Sequence, residues 1–323
     1  MKKIDKVVVE AIEFPLIEPY ILSFNTIRSF ESFRVTVILE DEQTASGEVV
    51  PLFGYSHETV TAIRNYLQEI PDRIEKRTLQ DARELLEKEI RTRPFSVSPV
   101  LTAIDLLNKP MNLPPDLNAF NYVVPSSTKR IEQLLTRYKK TCLQENGVLK
   151  IKLSGDPAID IAAFEQLRTK LDGNRQDLRL DANQAYNKEA GLRFFEFLHT
   201  FSGKDHIQYV EQPYPVDKWD WNGETSRLFP TIPIMIDEAI IDESDIDRAI
   251  AQGIRIIKLK LYKQGGIKEL VNCAKYAHEK QVDVVLGNGV AGHLTNQIEV
   301  AVYQMYPKHF RSVLEANGFN KLR

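Results

Sequence analysis

With 323 residues, 43% of them hydrophobic, and a net charge of −3, the chain is long enough for one large barrel or for two domains around sizeable cores. Its acids and bases are interspersed, so no basic stripe points to a nucleic-acid partner, and no stretch approaches the roughly 20 apolar residues of a membrane span. Asp5 and Glu10 break the opening MKKIDKVVVEAIEF, which therefore does not read as a signal peptide, and two distant cysteines, Cys142 and Cys273, fit a reducing, cytoplasmic setting.

The first part of the chain reads as α+β. KVVVEAIEF and ESFRVTVILEDEQTASGEVVP have the pattern of an antiparallel meander, with one turn expected at Asp41–Glu42 and a second near Gly47. Helical periodicity follows in HETVTAIRNYLQEI, LQDARELLEKEI and SPVLTAIDLL, the last with Ser98 as its expected N-cap. The proline-rich KPMNLPPD breaks both helix and ladder and sets the expected boundary, giving residues 1–112 and 113–323.

Beyond it, strand and helix alternate. Strands are predicted in NAFNYVV, VLKIKL, DLRLD, IQYVE, PIMID, IRIIKLK, VDVVL and RSVLE, with helices in most gaps. Eight short apolar strands alternating with helices predict a parallel (β/α) barrel, and no glycine-rich phosphate motif supports a doubly wound sheet instead.

In such a barrel, polar residues that close an apolar strand stand at the reactive face. Lys152, Asp181, Glu211, Asp237 and Lys260 hold that position, at steps of 29, 30, 26 and 23 residues, each about one strand–helix unit of roughly 30 residues. An oxygen ligand from each of three neighbouring strands suits Mg²⁺, with Mn²⁺ as the alternative, and the cluster has no soft ligand that would favour zinc. Asn183 is expected to orient Asp181 from behind. Lys150 and Lys258 point the same way as Lys152 and Lys260 but one layer deeper, where a charge needs a partner. Lys150 is read as electrostatic support, Lys258 as support or an internal ion pair, and Lys263 as a loop residue.

These residues resemble the enolase superfamily, in its muconate-lactonizing subgroup, along nearly the whole chain. KIK resembles the family's K-x-K strand, LDAN, VEQP and IDEA its three metal acids, and IKLKLYKQGG its second lysine strand. The resemblance implies a modified (β/α)7β barrel under an α+β capping domain, with Asp181, Glu211 and Asp237 on Mg²⁺. Lys152 and Lys260 would face each other as catalytic bases, with Lys150 in support. Enolase-superfamily sites use a Lys or His base with Mg²⁺ to stabilise an ene-diolate. The implied reaction removes the proton alpha to the carboxylate of a small-molecule substrate. Returning it to the opposite face gives a racemase or epimerase of an amino-acid derivative or dipeptide. Elimination gives an o-succinylbenzoate-synthase-type lyase, with cycloisomerisation and a non-catalytic barrel as the further alternatives. Family members are often homo-oligomers.

Specificity is expected from two loops of the capping domain, Tyr20–Phe30 and Val50–Thr59, with Phe24, Phe53 and Tyr55 walling off water. After the seventh strand the chain carries Ala291 and Gly292 where some relatives have a Glu-Ser pair, leaving Asn288 as the candidate polar contact. At the eighth strand Glu315 and Asn317 take the spacing of an acidic pair that binds a substrate ammonium group in dipeptide epimerases. The sequence ends at Arg323, short of the segment that usually returns to the capping domain.

Overall fold

A computed structural model describes residues 2–21, 26–52, 56–141, 147–168 and 177–323. The chain opens with strands β1 (Ile4–Ile21), β2 (Thr26–Leu39) and β3 (Thr44–Val49), an antiparallel sheet in that order. Phe33, Val35, Val37 and Leu39 alternate onto its buried face, the period-2 signature of a half-buried sheet. Helices α1 (Val60–Ile74), α2 (Leu79–Leu86) and α3 (Pro94–Asn108) cover that face. In α1, Ile63, Tyr66, Leu67, Ile70 and Ile74 form one buried stripe, and Thr59 caps its start.

One turn and one helix cap need correction. Gly47 does not turn the chain: it lies inside β3, paired with Val35, and a Cβ there would meet the Pro99 carbonyl oxygen at 2.1 Å. The glycine is needed because α3 packs directly onto the β3 backbone. Ser98 likewise caps nothing. The helix begins earlier, at Pro94, whose missing N–H costs nothing in a first turn, and Ser98 is buried within it.

The second unit alternates strand and helix. In order come β4 (Val124–Ser127), α4 (Ile131–Thr141), β5 (Val148–Lys152), α5 (Pro157–Arg168), β6 (Asp177–Asp181), α6 (Lys188–Thr200), β7 (Ile207–Glu211) and α7 (Trp219–Leu228). They are followed by β8 (Ile234–Ile236), α8 (Glu243–Ala251), β9 (Ile256–Leu259), α9 (Leu261–Gln264), α10 (Ile267–Glu279), β10 (Asp283–Leu286) and α11 (His293–Met305). β4 to β10 make a seven-stranded parallel sheet in sequence order.

The sheet is closed by a remnant of the predicted eighth strand. Only Leu314 and Glu315 remain of RSVLE as isolated parallel bridges, one to Tyr122 beside β4 and the other to Gly287 at the end of β10. Leu314 donates to the Asn121 carbonyl (3.0 Å) and Glu315 to the Leu286 carbonyl (2.9 Å). The first barrel strand also differs, lying downstream of NAFN, where Asp116 caps a 3-10 turn instead. No helix among the described residues is long and apolar enough to cross a membrane.

The two units are bolted together. Phe95 of α3 stacks on Tyr262 of α9 with ring centroids 4.5 Å apart, and buried Arg83 of α2 is shared by Asp105 of α3 and Glu269 of α10. The chain's last residues also return to the first sheet, contrary to the expectation of a shortened end. Leu322 bridges Leu16, and Arg323 donates to the Pro15 carbonyl at 2.9 Å.

Because the space at Gly47 is filled by backbone rather than by a flexible side chain, Gly47→Ala should destabilise the protein by about 1–3 kcal/mol through overpacking. Urea unfolding should show the lower midpoint; an unchanged midpoint would mean α3 can retreat without cost.

Candidate active site at the barrel mouth

Parallel pairing brings the strand-end residues side by side. Lys152 of β5 is in register with Asp181 of β6, and Asp181 with Glu211 of β7. Asp237 immediately follows β8, and Lys260 immediately follows β9. Lys152, Asp181, Glu211 and Lys260 line one cavity of about 540 Å³, with Lys150 and Lys258 in its floor. β6, β7 and β8 separate the strands that bear Lys152 and Lys260, so the two amines come from well-separated walls. They differ in access: the Lys152 side chain is 38% exposed and that of Lys260 only 1%.

The floor is a buried ionic network. Lys150 Nζ lies 3.0 Å from Asp181, 2.5 Å from Glu211 and 2.6 Å from Glu315. Lys258 Nζ reaches Glu211 at 2.8 Å and Glu315 at 2.5 Å, so it forms internal ion pairs. Lys260 Nζ donates to Asp237 at 2.5 Å. Lys263 is no loop residue. It is buried on α9 and donates to the Asp237 carboxylate at 3.0 Å and to the backbone carbonyls of Asp237 and Lys258. The four-residue helix turns it back because Gly265 and Gly266 both take positive φ, at 88° and 152°.

These contacts set the charge states. Burial alone would raise Asp181, but Lys150, Lys152 and Lys258 outweigh it and hold it at about 2. Asp237 is likewise held well below the ordinary value by Lys260, Lys263 and Lys258, against the effect of burial. Glu211 is pushed up, first by burial and then by the neighbouring charge of Asp181, with Lys150 and Lys258 opposing. Burial would lower Lys150, but Asp181, Glu211 and Glu315 keep it well above the usual lysine value.

Asp181, Glu211 and Asp237 offer only hard oxygen donors, which suits a small divalent cation. The crowding of Glu211 by Asp181 is the kind of like-charge stress such an ion relieves. Their oxygens are nevertheless turned toward ammonium groups, and among the described residues no trio of His, Cys, Asp or Glu is arranged to hold a metal. The donor chemistry fits; the cage is not assembled.

The remaining expected contacts fare unevenly. Asn183 accepts from Lys152, donates through its side chain to Glu238 at 3.2 Å, and offers its backbone N–H to Asp181 at 3.1 Å. Asn288 lines the cavity, but its amide is engaged by Asn296, Glu299 and the Gly318 N–H, so it braces the wall. Asn317 lines the cavity and donates to the Val123 carbonyl at 3.1 Å. Glu315 departs most from expectation. One carboxylate oxygen accepts from Arg179 (3.1 Å) and Tyr209 (2.7 Å), the other from Lys150 and Lys258, and the residue is 2% exposed. It lines the cavity as expected, but both carboxylate oxygens already neutralise cations of the barrel interior. Phe24, Phe53 and Tyr55 lie outside the described residues. Strand-end reasoning also missed Lys321, which enters the cavity from the last turn of the chain.

Residues 135–316 match the model of the family described as enolase C-terminal domain-like. The L-Lys-D/L-Arg epimerase of Methylococcus capsulatus is 26% identical over 300 residues, covering 88% of this chain and 82% of that protein. An o-succinylbenzoate synthase of Thermosynechococcus vestitus is 25% identical over 242 residues, covering 75% of this chain and 70% of its own. The fold is also that of a dipeptide epimerase from Methylococcus capsulatus solved with Mg and the dipeptide L-Arg-D-Lys. That likeness has a TM-score of 0.79 at 22% identity, over 99% of this chain and 92% of the other.

Removing one partner from a buried ionic network leaves uncompensated charge, typically worth about 3–5 kcal/mol. Glu315→Gln should therefore destabilise the protein by an amount in that range at neutral pH. Burial works against Glu315 ionisation, but Lys150, Lys258 and Arg179 hold its native pKa well below the ordinary 4.5. The stability it contributes is thus complete above that value and lost as pH falls through the depressed native one. Denaturant titrations should show a constant deficit from pH 7 to 5 that narrows in stronger acid.

Proposed function

Since this chain belongs to the enolase C-terminal domain-like family, we propose that it is a Mg²⁺-dependent epimerase or racemase that inverts the carbon alpha to the carboxylate of an amino-acid derivative or dipeptide. The supporting observation is that Lys152 and Lys260 line one cavity from strands separated by three others. Such placement suits two bases on opposite faces of one carbon.

Asp181, Glu211 and Asp237 would hold the Mg²⁺, and Mn²⁺, which also prefers oxygen ligands, would serve in its place. When bound, the ion would draw in the substrate carboxylate and raise the acidity of the adjacent C–H. One lysine, as the neutral amine, takes the proton onto Nζ. The other, as the ammonium, returns one from the far side. A lysine base needs a pKa lowered from about 10.4; nearby cations and burial act in that direction, and carboxylate partners act against it. Lys150 and Lys258 surround the reacting region with positive charge; Lys263 and Asn183 hold Asp237 and Lys152 in place. Buried Lys260 is shielded from solvent, whereas Lys152 faces the opening.

A second reading, an o-succinylbenzoate-synthase-type dehydratase, draws support from Glu315. The acid expected to meet a substrate ammonium is already paired with Lys150, Lys258 and Arg179.

In deuterium oxide, the Mg²⁺-loaded enzyme should exchange the alpha hydrogen of at least one member of a panel of dipeptides and N-acylamino acids. Lys152→Ala and Lys260→Ala should each slow inversion by about 10²–10⁴-fold. No exchange anywhere in the panel, together with ultraviolet detection of aromatic product from the cyclohexadiene substrate, would select the dehydratase.

Metal binding can be read without turnover. A ligand present at 100 times its dissociation constant adds roughly 2.7 kcal/mol to native stability. Mg²⁺ should therefore raise the melting temperature of the wild type, and Asp181→Asn or Asp237→Asn should abolish the rise. An unchanged rise in both variants would remove these carboxylates from the ligand set.

A further inference from the structure

A second cavity, of about 320 Å³, lies on the seam between the two units and shares no lining residue with the barrel mouth. Arg83 of α2 and Asp105 of α3 meet Ile267 and Val271 of α10 in its buried part. Lys109, Lys268 and Met305 also line it and are exposed, so they stand at its opening. Small-molecule sites of a few hundred Å³ typically combine apolar walls with a few polar groups, and they favour domain boundaries.

The acids around this cavity are already engaged. Asp105 accepts from Arg83 with one oxygen and from the Lys268 N–H, at 2.9 Å, with the other. The adjacent Glu269 is also paired with Arg83. The lysines are not balanced in the same way. Lys109 donates to the Tyr306 hydroxyl at 3.4 Å, and among the described residues neither it nor Lys268 forms an ion pair with a carboxylate. Lys275, whose ammonium lies 5.3 Å from the centre of the Tyr306 ring, adds a further positive charge nearby.

Lys268 also works against its own helix. It occupies the first turn of α10, where the helix dipole disfavours a cation. Lys109, just past the end of α3, has no such conflict. A residue that opposes its local field without a compensating partner in the fold marks a candidate functional position.

We propose that this cleft is a second ligand site, which takes a small anion with an apolar body. Lys109 and Lys268 meet the anionic group, and Met111, Val271 and Met305 meet the body. Because its lining comes from both units, an occupant also stabilises their docking. The assignment does not depend on the reaction carried out at the barrel mouth.

The test is a fluorescence titration of the full-length protein with anilinonaphthalene sulfonate and with phenylnaphthylamine, which lacks only the sulfonate. The wild type should bind the sulfonate at a single site, at least tenfold more tightly than the neutral amine. Lys109→Met combined with Lys268→Met should bring the two affinities within about twofold. Lys139→Met combined with Lys140→Met removes the same charge from exposed positions of α4 and should leave the preference intact. Met305→Asp, at an exposed position, should weaken both probes at least fivefold. Circular dichroism checks that each variant is folded. Equal affinity of the two probes in the wild type overturns the assignment, as does a preference that persists without Lys109 and Lys268. Loss of the preference in the α4 variant, or unchanged binding in Met305→Asp, overturns it equally.

Discussion

An ion moved into a protein interior costs several kcal/mol unless a partner and hydrogen bonds meet it there. This barrel buries Lys258, Lys260, Lys263 and Arg179 beside the part-buried Lys150, and their positive charge is met by Asp181, Glu211, Asp237 and Glu315. Glu211 and Glu315 are the joints of the network, since each accepts from both Lys150 and Lys258. Strand alternation makes this unavoidable. Residues two apart share a face, so the lysines behind Lys152 and Lys260 must point inward as well. Tyr209 and Arg179 finish the arrangement from below, and an apolar layer of Tyr209, Met235, Ile256 and Val285 seals it.

The same network ties chemistry to stability. Carboxylates that would hold a divalent ion are those that now neutralise the lysines, so cations compete for one set of oxygens. Lys263 and Lys260 share Asp237, and Lys150 and Lys258 share Glu211. Asp181, Glu211 and Asp237 would have to release ammonium groups to hold such an ion. The lysines so released would have less negative charge near them, which favours the neutral amine.

Much of this was legible because strand ends in a parallel barrel carry a simple code. The K-x-K pairs and the acids spaced by one strand–helix unit indicated which side chains meet, and the register of Lys152, Asp181 and Glu211 follows from it. Lys263 escaped because four residues are too few to show helical periodicity; only the glycine pair after it hinted at a reversal. Gly47 was misread since a glycine required by an overlying helix looks in sequence like a glycine required by a turn. The eighth strand was overestimated because two bridging residues suffice to close the barrel. Glu315 had the spacing of a substrate contact, but the additional methylene of Glu over Asp lets it reach the buried lysines, and one-dimensional spacing carries no depth.

Lys321 could not be found from strand ends, because it comes from the turn that follows the last of them. Its location nevertheless has a structural logic. The turn that lowers Lys321 into the cavity is continuous with Leu322, which packs against the core of the first domain and bridges Leu16 of β1. Docking of the first sheet on the barrel and placement of the ammonium are therefore one event: a chain end that let go of β1 would also release the wall of the cavity. The Gly289 carbonyl and the Asn288 amide, which hold the turn from the barrel side, follow directly on β10. A cation delivered in this way is held by the Gly289 carbonyl and by the turn that carries it. One wall of the cavity thus depends on contact between two domains, while its floor depends on charge buried within one.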